Sequence, residues 1–345
     1  MSGRVAWLAS ALCLLACNSP RLVSFDGGQN TEGACTPEAQ CSACGTCFDA
    51  CLCGGGAARR CAESCGASAT GDAGEGDAST GPDAPLVGTF VTDSFDIPPG
   101  KEFFRCQNFA NPFGRDVAVL RTDSFMTAGS HHMFAFQVGG IEDGALEECS
   151  GIEFHGYLHL TQRSQETLTN PPGVGRFLSA TEGIRLAVHY LNASEQTVHT
   201  EVAFTLRATE PSHVFVLASQ IFANTLSISV PPHSAGSSVH SCTVPKDVSV
   251  FETGSHMHQH GTHFTARASD GQLLFETNQW AEPEPWRFAS PRKLKAGTVI
   301  DVDCEYQNTT DQPLSFGESA ATNEMCIFIG GYYPAAAGES ITCLF

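Results

Sequence analysis

The chain has 345 residues, a length that suits about two domains, and only 16% of them are charged. Acids outnumber bases 37 to 18, for a formal net charge of −19. An acidic chain with no basic cluster excludes nucleic acid as a partner, because phosphate contacts draw on Lys and Arg.

At the N-terminus, Arg4 precedes an apolar run from Val5 to Ala16 that is too short to span a bilayer. The run ends Leu14-Leu15-Ala16-Cys17, which resembles a bacterial lipobox. That resemblance implies residues 1–17 as a signal peptide with its lipobox Cys, and acylation of Cys17. An exported cell-envelope lipoprotein, held to the membrane by its lipid anchor, is therefore expected. Asn18, after the acylated Cys, favours the outer membrane or cell surface. No later segment reaches the ~20 apolar residues of a membrane helix.

Residues 18–34 are polar and Gly-rich and read as a tether. Eight of the 16 cysteines (Cys35, Cys41, Cys44, Cys47, Cys51, Cys53, Cys61 and Cys65) crowd into residues 35–65. Pairs such as Cys44-Gly-Thr-Cys47 have zinc-like spacing, but an oxidising compartment favours a disulfide-stapled segment. Residues 66–86 are acidic, low in complexity and Pro-terminated, and read as a flexible linker.

From Val87 onward short runs rich in Val, Ile, Phe and Thr recur between Gly, Pro, Asn and Asp punctuation. Strands are expected at Val117–Leu120, Met133–Val138, Ile184–Tyr190, Thr200–Leu206, Val214–Leu217, Leu226–Val230, Val248–Phe251, Thr262–Ala268, Thr298–Cys304 and Cys326–Tyr333. The pattern predicts an all-β chain of two antiparallel β-sandwich, jelly-roll-like domains. Arg207-Ala-Thr-Glu-Pro211 marks the boundary between domains at 87–208 and 209–345. No helical stripe and no internal repeat stands out.

The 13 histidines cluster. Gly254-Ser-His-Met-His-Gln-His-Gly-Thr-His263 holds four of them. On a strand, residues two apart share a face, so His256 and His258, and with them His260, would point one way as metal ligands. Ser130-His131-His132-Met133 is a second cluster. Adjacent strand residues face opposite sides, so joint ligation by His131 and His132 needs a bulge, a strand end or a local twist. Taken alone, the pair reads as one core-facing and one exposed His. His189 in Val188-His189-Tyr190 reads alone as a satisfied core His, and Met325 in Asn323-Glu-Met-Cys326 as core packing. His155 and His159 are spare candidates, while His199, His213, His233 and His240 read as surface groups. No Walker loop, dinucleotide fingerprint or nucleophile elbow is present.

Taken in order from about Phe103 to Cys343, these fragments resemble the catalytic core of the copper type II, ascorbate-dependent monooxygenases. This is the family of peptidylglycine α-hydroxylating monooxygenase and dopamine β-monooxygenase. His131-His132-Met133 is similar to the family's His-His-Met strand. Pro172-Gly-Val-Gly175 followed by Leu186-Ala-Val-His189-Tyr190 is similar to the segment that supplies a third His. His256-Met-His258 is similar to the His-x-His pair of a second site, and Asn323-Glu-Met-Cys326 to its Met ligand.

The resemblance implies two coppers per chain, one on His131, His132 and His189 and the other on His256, His258 and Met325. The second would be the catalytic site, facing the first across a water-filled cleft. It also implies disulfides Cys106–Cys149, Cys242–Cys343 and Cys304–Cys326. The cosubstrates would be dioxygen and ascorbate or another one-electron donor, acting on a small-molecule substrate, and a monomer is expected.

The chain departs from the family in its substrate anchors. Gly254 stands where the peptide-processing enzyme has Arg, Ile327 and Ile329 replace its Asn and Tyr, and Phe104 replaces a Tyr. Peptide amidation is therefore not expected. The alternative is a surface lipoprotein that binds or sequesters copper without turnover.

Overall fold

The computed structural model describes residues 85–150 and 156–345. The lipobox Cys17, the tether, the Cys-rich segment, the linker through residue 84 and His155 lie outside the described residues.

The first part contains β1 (Leu86–Val91), β2 (Phe95–Ile97), β3 (Glu102–Phe109), β4 (Val117–Met126), β5 (Ser130–Gly139) and β6 (Glu147–Glu148). It continues with β7 (Gly156–Thr161), β8 (Gln165–Thr169), β9 (Val174–Leu178), β10 (Glu182–Leu191), β11 (Val198–Thr200) and β12 (Val202–Thr209). After a single 3-10 turn at Pro211–His213 come β13 (Val216–Asn224), β14 (Ser229–Val230), β15 (Ala235–Thr243), β16 (Val248–His256) and β17 (Gly261–Ala268). The last strands are β18 (Leu273–Thr277), β19 (Trp286–Leu294), β20 (Val299–Gln307), β21 (Leu314–Ser315), β22 (Ile327–Ala335) and β23 (Ile341–Leu344). The chain is all-β, as its alternating runs predict. One run falls short: of Leu226–Val230 only Ser229–Val230 is a strand, and Leu226 is 53% exposed.

In each half, two sheets bury a core between them. In the first, β1, β12, β4 and β9 lie against β6-β3-β10-β5-β7. Between them sit Phe90 and Phe204 from one sheet and Met133, Leu186 and Val188 from the other. In the second half, β13, β22, β16 and β19 lie against β15-β20-β17-β18, around Ile221, Val250, Phe264, Val302 and Phe328. The halves are not separate sandwiches, because one 10-stranded sheet runs through both. Its junction is a parallel pairing of β9 with β13, in which Val216, Leu217 and Ala218 face Val174, Gly175 and Arg176.

The period of two along the strands decides which side chains meet at the interface. In β10, Ile184, Leu186, Val188 and Tyr190 go into the first core, which puts Ala187 and His189 on the opposite face. In β5, Met133 and Ala135 go inward and His132, Phe134 and Phe136 outward. That outer face is covered by the second half. Phe136, Tyr157 and Ala187 form a buried cluster with Phe222 and Ile329, and the buried guanidinium of Arg176 is ion-paired with Glu252.

The structure also shows an internal correspondence that the sequence pattern hid. The Asn192 amide donates to the carbonyls of Ile97 and Gln196 while its Oδ1 accepts from Ser194. The Asn308 amide donates to Val230 and Gln312 while its Oδ1 accepts from Thr310. Both asparagines are buried. Their Asn-x-Ser/Thr pattern is thus an Asx turn closing a β-edge in each half.

Candidate metal centre

The β5–β10 ladder positions the first imidazoles. His189 pairs directly with His132, but the next pair is Tyr190 with Ser130. The register slips by one, and His131 is the extra residue of a β-bulge. A bulge turns two consecutive side chains toward one side, which lets His131 and His132 act together. The nitrogens of His131, His132 and His189 lie within 4.8 Å of one another.

The second set comes from the end of β16. His256 is its last residue and faces Ile327 of β22. His258 and His260 lie beyond the strand end, so strand alternation does not extend to them. Instead, Glu324, fully buried, accepts the backbone N–H groups of His258 at 3.0 Å, His260 at 2.7 Å and Met325 at 3.3 Å. Burial pushes its carboxyl up to about 7, against the opposing pull of those N–H groups. The loop is thereby folded around one carboxylate, with Asn323–Met325 alongside His258. Met325 is buried, and its carbonyl accepts the Tyr306 hydroxyl at 3.2 Å.

The two sets meet. The ring of His256 is 4.7 Å from that of His132 and 6.3 Å from that of His131, and His258 is 5.1 Å from His256. The resemblance implied a water-filled cleft between two cages, but here the five imidazoles form one continuous cluster. The apolar contact through Phe222 and Ile329 and the ion pair of Arg176 hold the two halves together at this point.

Hydrogen bonds fix the ring tautomers, and they all point the same way. His189 Nε2 donates to Glu102 at 2.7 Å. Glu102 in turn accepts Ser319 Oγ at 2.9 Å and the Ala320 N–H at 3.1 Å. Burial works against the Glu102 carboxylate, but these donors outweigh it and hold its pKa at about 2. His256 Nδ1 donates to Gln162 Oε1, and the Gln162 amide nitrogen donates to the carbonyls of Trp280 at 2.7 Å and Ala281 at 3.0 Å. His258 Nδ1 donates to the Asn323 carbonyl at 3.1 Å.

Each of the five rings is left with one unpartnered nitrogen. The buried nitrogens without a hydrogen-bond partner include His131 Nε2, His132 Nδ1, His189 Nδ1, His256 Nε2 and His258 Nε2. Three orphaned acceptors, on His189, His256 and His258, beside two more unpartnered nitrogens are costly unless something satisfies them. A cation would do so, since neutral imidazole is the ligating form.

Their protonation is suppressed as ligation requires. Burial, then the neighbouring His189 and His258, lowers His131 to about 3. Burial lowers His258 to about 4 and takes His132 and His256 well below 6.5. The Phe104 ring stacks on His189 at 4.1 Å and Trp280 lies 5.9 Å from His131, so aromatic faces shield the cluster from water.

The other histidines are used elsewhere. His159 is inside the first core, bonded to Thr122 and Ser124. His263 pairs with Asn278 at the surface, while His199 and His233 pair with Asp96 and Asp311. His240 is buried, not a surface group. The structure joins Cys106 to Cys149, Cys242 to Cys343 and Cys304 to Cys326, the pairs that the resemblance implies. Glu102, Gln162 and Glu324 were not singled out by the sequence pattern.

Residues 219–344 match the family model of the copper type II ascorbate-dependent monooxygenase C-terminal domain. That segment is little more than a third of the chain. No curated protein matches the chain. Among solved structures, the chain is similar to a triple jelly-roll protein of an archaeal virus, at 6% identity and a TM-score of 0.22. That match covers 75% of this chain and 58% of the viral one. It is also similar to a structure of infectious bursal disease virus Gx strain, at 7% identity and a TM-score of 0.15, covering 74% of this chain and 78% of that one. These scores are too low to carry an argument. The matched segment contains His256, His258 and Met325, and the strands of the first half bring the imidazoles of His131, His132 and His189 against it.

Proposed function

We propose that the protein is an exported, lipid-anchored copper monooxygenase that hydroxylates a small organic substrate, with His131, His132, His189, His256, His258 and Met325 holding two coppers. One observation carries this reading: five imidazoles, four of them buried and each with an unpartnered ring nitrogen, converge on one place, two of them from the segment that matches the copper monooxygenase family model. Bound copper supplies the one-electron cycling and dioxygen reduction that C–H hydroxylation requires, and the Met325 thioether favours Cu(I) at its site.

The overall reaction turns one C–H bond into C–OH. The second oxygen atom leaves as water, and ascorbate or another one-electron donor supplies two electrons, with two protons taken up. The chain's own groups prepare the site. Glu102 keeps the proton of His189 on Nε2, and Gln162 and the Asn323 carbonyl keep those of His256 and His258 on Nδ1. The ligand nitrogens therefore face inward as acceptors.

The test is metal analysis and copper spectroscopy of the full chain and of Met325→Leu, with oxygen uptake under ascorbate. Two coppers per chain are expected, with Cu(I) binding weakened at one site by the substitution and reductant-dependent oxygen uptake when a substrate is present. Copper far below one per chain would sink the reading. Tight copper without oxygen uptake across a broad substrate panel would leave a copper-sequestering protein.

A further inference from the structure

Alternation along β16 places Glu252, Gly254 and His256 on one face. Their cross-strand partners in β22 are Gly331, Ile329 and Ile327. A groove enclosing about 60 Å³ is lined by Glu252, Gly254 and Ile329 and walled by Gln162, the residue that holds His256. The groove runs from the Arg176–Glu252 ion pair along the strand toward the imidazole cluster.

Its charges are already matched. Of the four charged residues that line it, Arg176 is paired with Glu252, and Arg163 pairs with Glu166, which also takes Arg287. A charged ligand would lose its hydration there and find no free counter-charge, a cost that an uncharged ligand avoids. On the strand face that ends in His256, Ile329 lies opposite Gly254, which has no side chain. A Cβ at Gly254 would meet only Pro285, at 4.0 Å, so a ligand has room over this position. One polar group is left open: Tyr157 lines the groove, and its buried hydroxyl has no hydrogen-bond partner among the described residues. Burial raises its pKa, which keeps the phenol neutral.

We infer that this groove binds an uncharged, mainly apolar molecule carrying a single hydroxyl or carbonyl group, with that group on Tyr157 and a C–H bond presented at the His256 end. The inference rests on the proposed monooxygenase function for its purpose, but binding to the groove is measurable without turnover.

Three probes of one skeleton test it: 3-phenylpropan-1-ol, 3-phenylpropanoate and 3-phenylpropylamine, titrated calorimetrically into the copper-free full chain. The alcohol is expected to bind at least about tenfold more tightly than either ion, a difference of about 1.4 kcal/mol. Gly254→Leu, which fills the groove, should weaken the alcohol at least about tenfold. Tyr157→Phe should weaken it by about threefold to tenfold, the worth of one hydrogen bond, without weakening propylbenzene. Tighter binding of either ion, alcohol binding indifferent to both substitutions, or no binding of any probe would overturn the inference. Those outcomes leave the monooxygenase reading to be judged by copper content and oxygen uptake. Alcohol binding to a chain that takes up no copper would support the groove and sink the enzyme.

Discussion

Gln162 is the side chain on which the two domains' chemistry is most directly joined, and Gln162→Leu separates its role from simple space filling. Leucine has a similar volume, so the cavity cost is small. Three hydrogen bonds go: one from His256 Nδ1 and two to the Trp280 and Ala281 carbonyls. The carbonyls belong to half-exposed residues that water reaches, whereas His256 is buried. The orphaned Nδ1–H therefore carries most of the penalty, about 1–3 kcal/mol. Its proton is then free to move to Nε2, the nitrogen meant for metal. Losing such a partner lowers metal affinity by about 10–100-fold, or about 1.4–2.7 kcal/mol. A competition titration with a chromophoric Cu(I) chelator should show that drop for one of two coppers, and the other copper unchanged. Gln162→Glu, which keeps an acceptor for His256, should recover most of it. Both affinities staying within about threefold of wild type, or a loss at the His131–His132–His189 site instead, would refute the reasoning.

Acid should destabilise the copper-free chain. The folded pKa values of His131 and His159 are about 3 and that of His258 about 4, so as pH falls the unfolded chain takes up protons first. The histidine contribution is full above about pH 6.5 and falls below it by about 1.4 kcal/mol per histidine per pH unit. Melting temperatures should rise slightly from pH 8 to 7, as Glu324 takes up its proton, and drop steeply below 6, and a flat profile down to pH 5 would contradict this.

Replacing Cys242 and Cys343 by Ala should cost more than replacing Cys304 and Cys326. The first bridge spans 101 residues and the second 22, which corresponds to about 4.7 against about 3 kcal/mol of loop entropy. Urea unfolding that reverses the order would count against it. Glu324→Gln leaves at least one of three buried N–H groups facing an amide NH₂. It should cost about 1–3 kcal/mol in the same assay and weaken copper at His256 and His258, and an unaltered midpoint would refute it.

What could be read from the sequence was what lies within a few residues. The alternation in Ile184–Tyr190 gave the strand and its faces, and joint ligation by His131 and His132 already called for a bulge, a strand end or a local twist. Glu102 was hidden because it lies 87 residues from His189 and only the β3–β10 register, which pairs Phe104 with His189, brings them together. No pattern in one chain states a register. β15 was missed for a different reason. Its sequence, Ala-Gly-Ser-Ser-Val-His-Ser-Cys-Thr, is small and polar like a loop, yet its side chains alternate between solvent and core. β19 carries Pro291 and three cationic residues, a composition tolerated because it is an edge strand of the shared sheet. The paired Asx turns rest on Asn-x-Ser/Thr triplets at Asn192 and Asn308, and only their burial and hydrogen bonds show that they are structural.

The parallel ladder of β9 with β13 limits how the imidazoles can ever part. A main-chain seam has no slack, so any opening that preserves it is a swing about the line Val174–Arg176, like a book about its spine. Arg176 sits on that spine and reaches across to Glu252, so the page edges, where the histidines lie, travel farthest while the inner end of the groove hardly moves. Substrate held at that inner end would stay in place while oxygen and reductant come and go at the other.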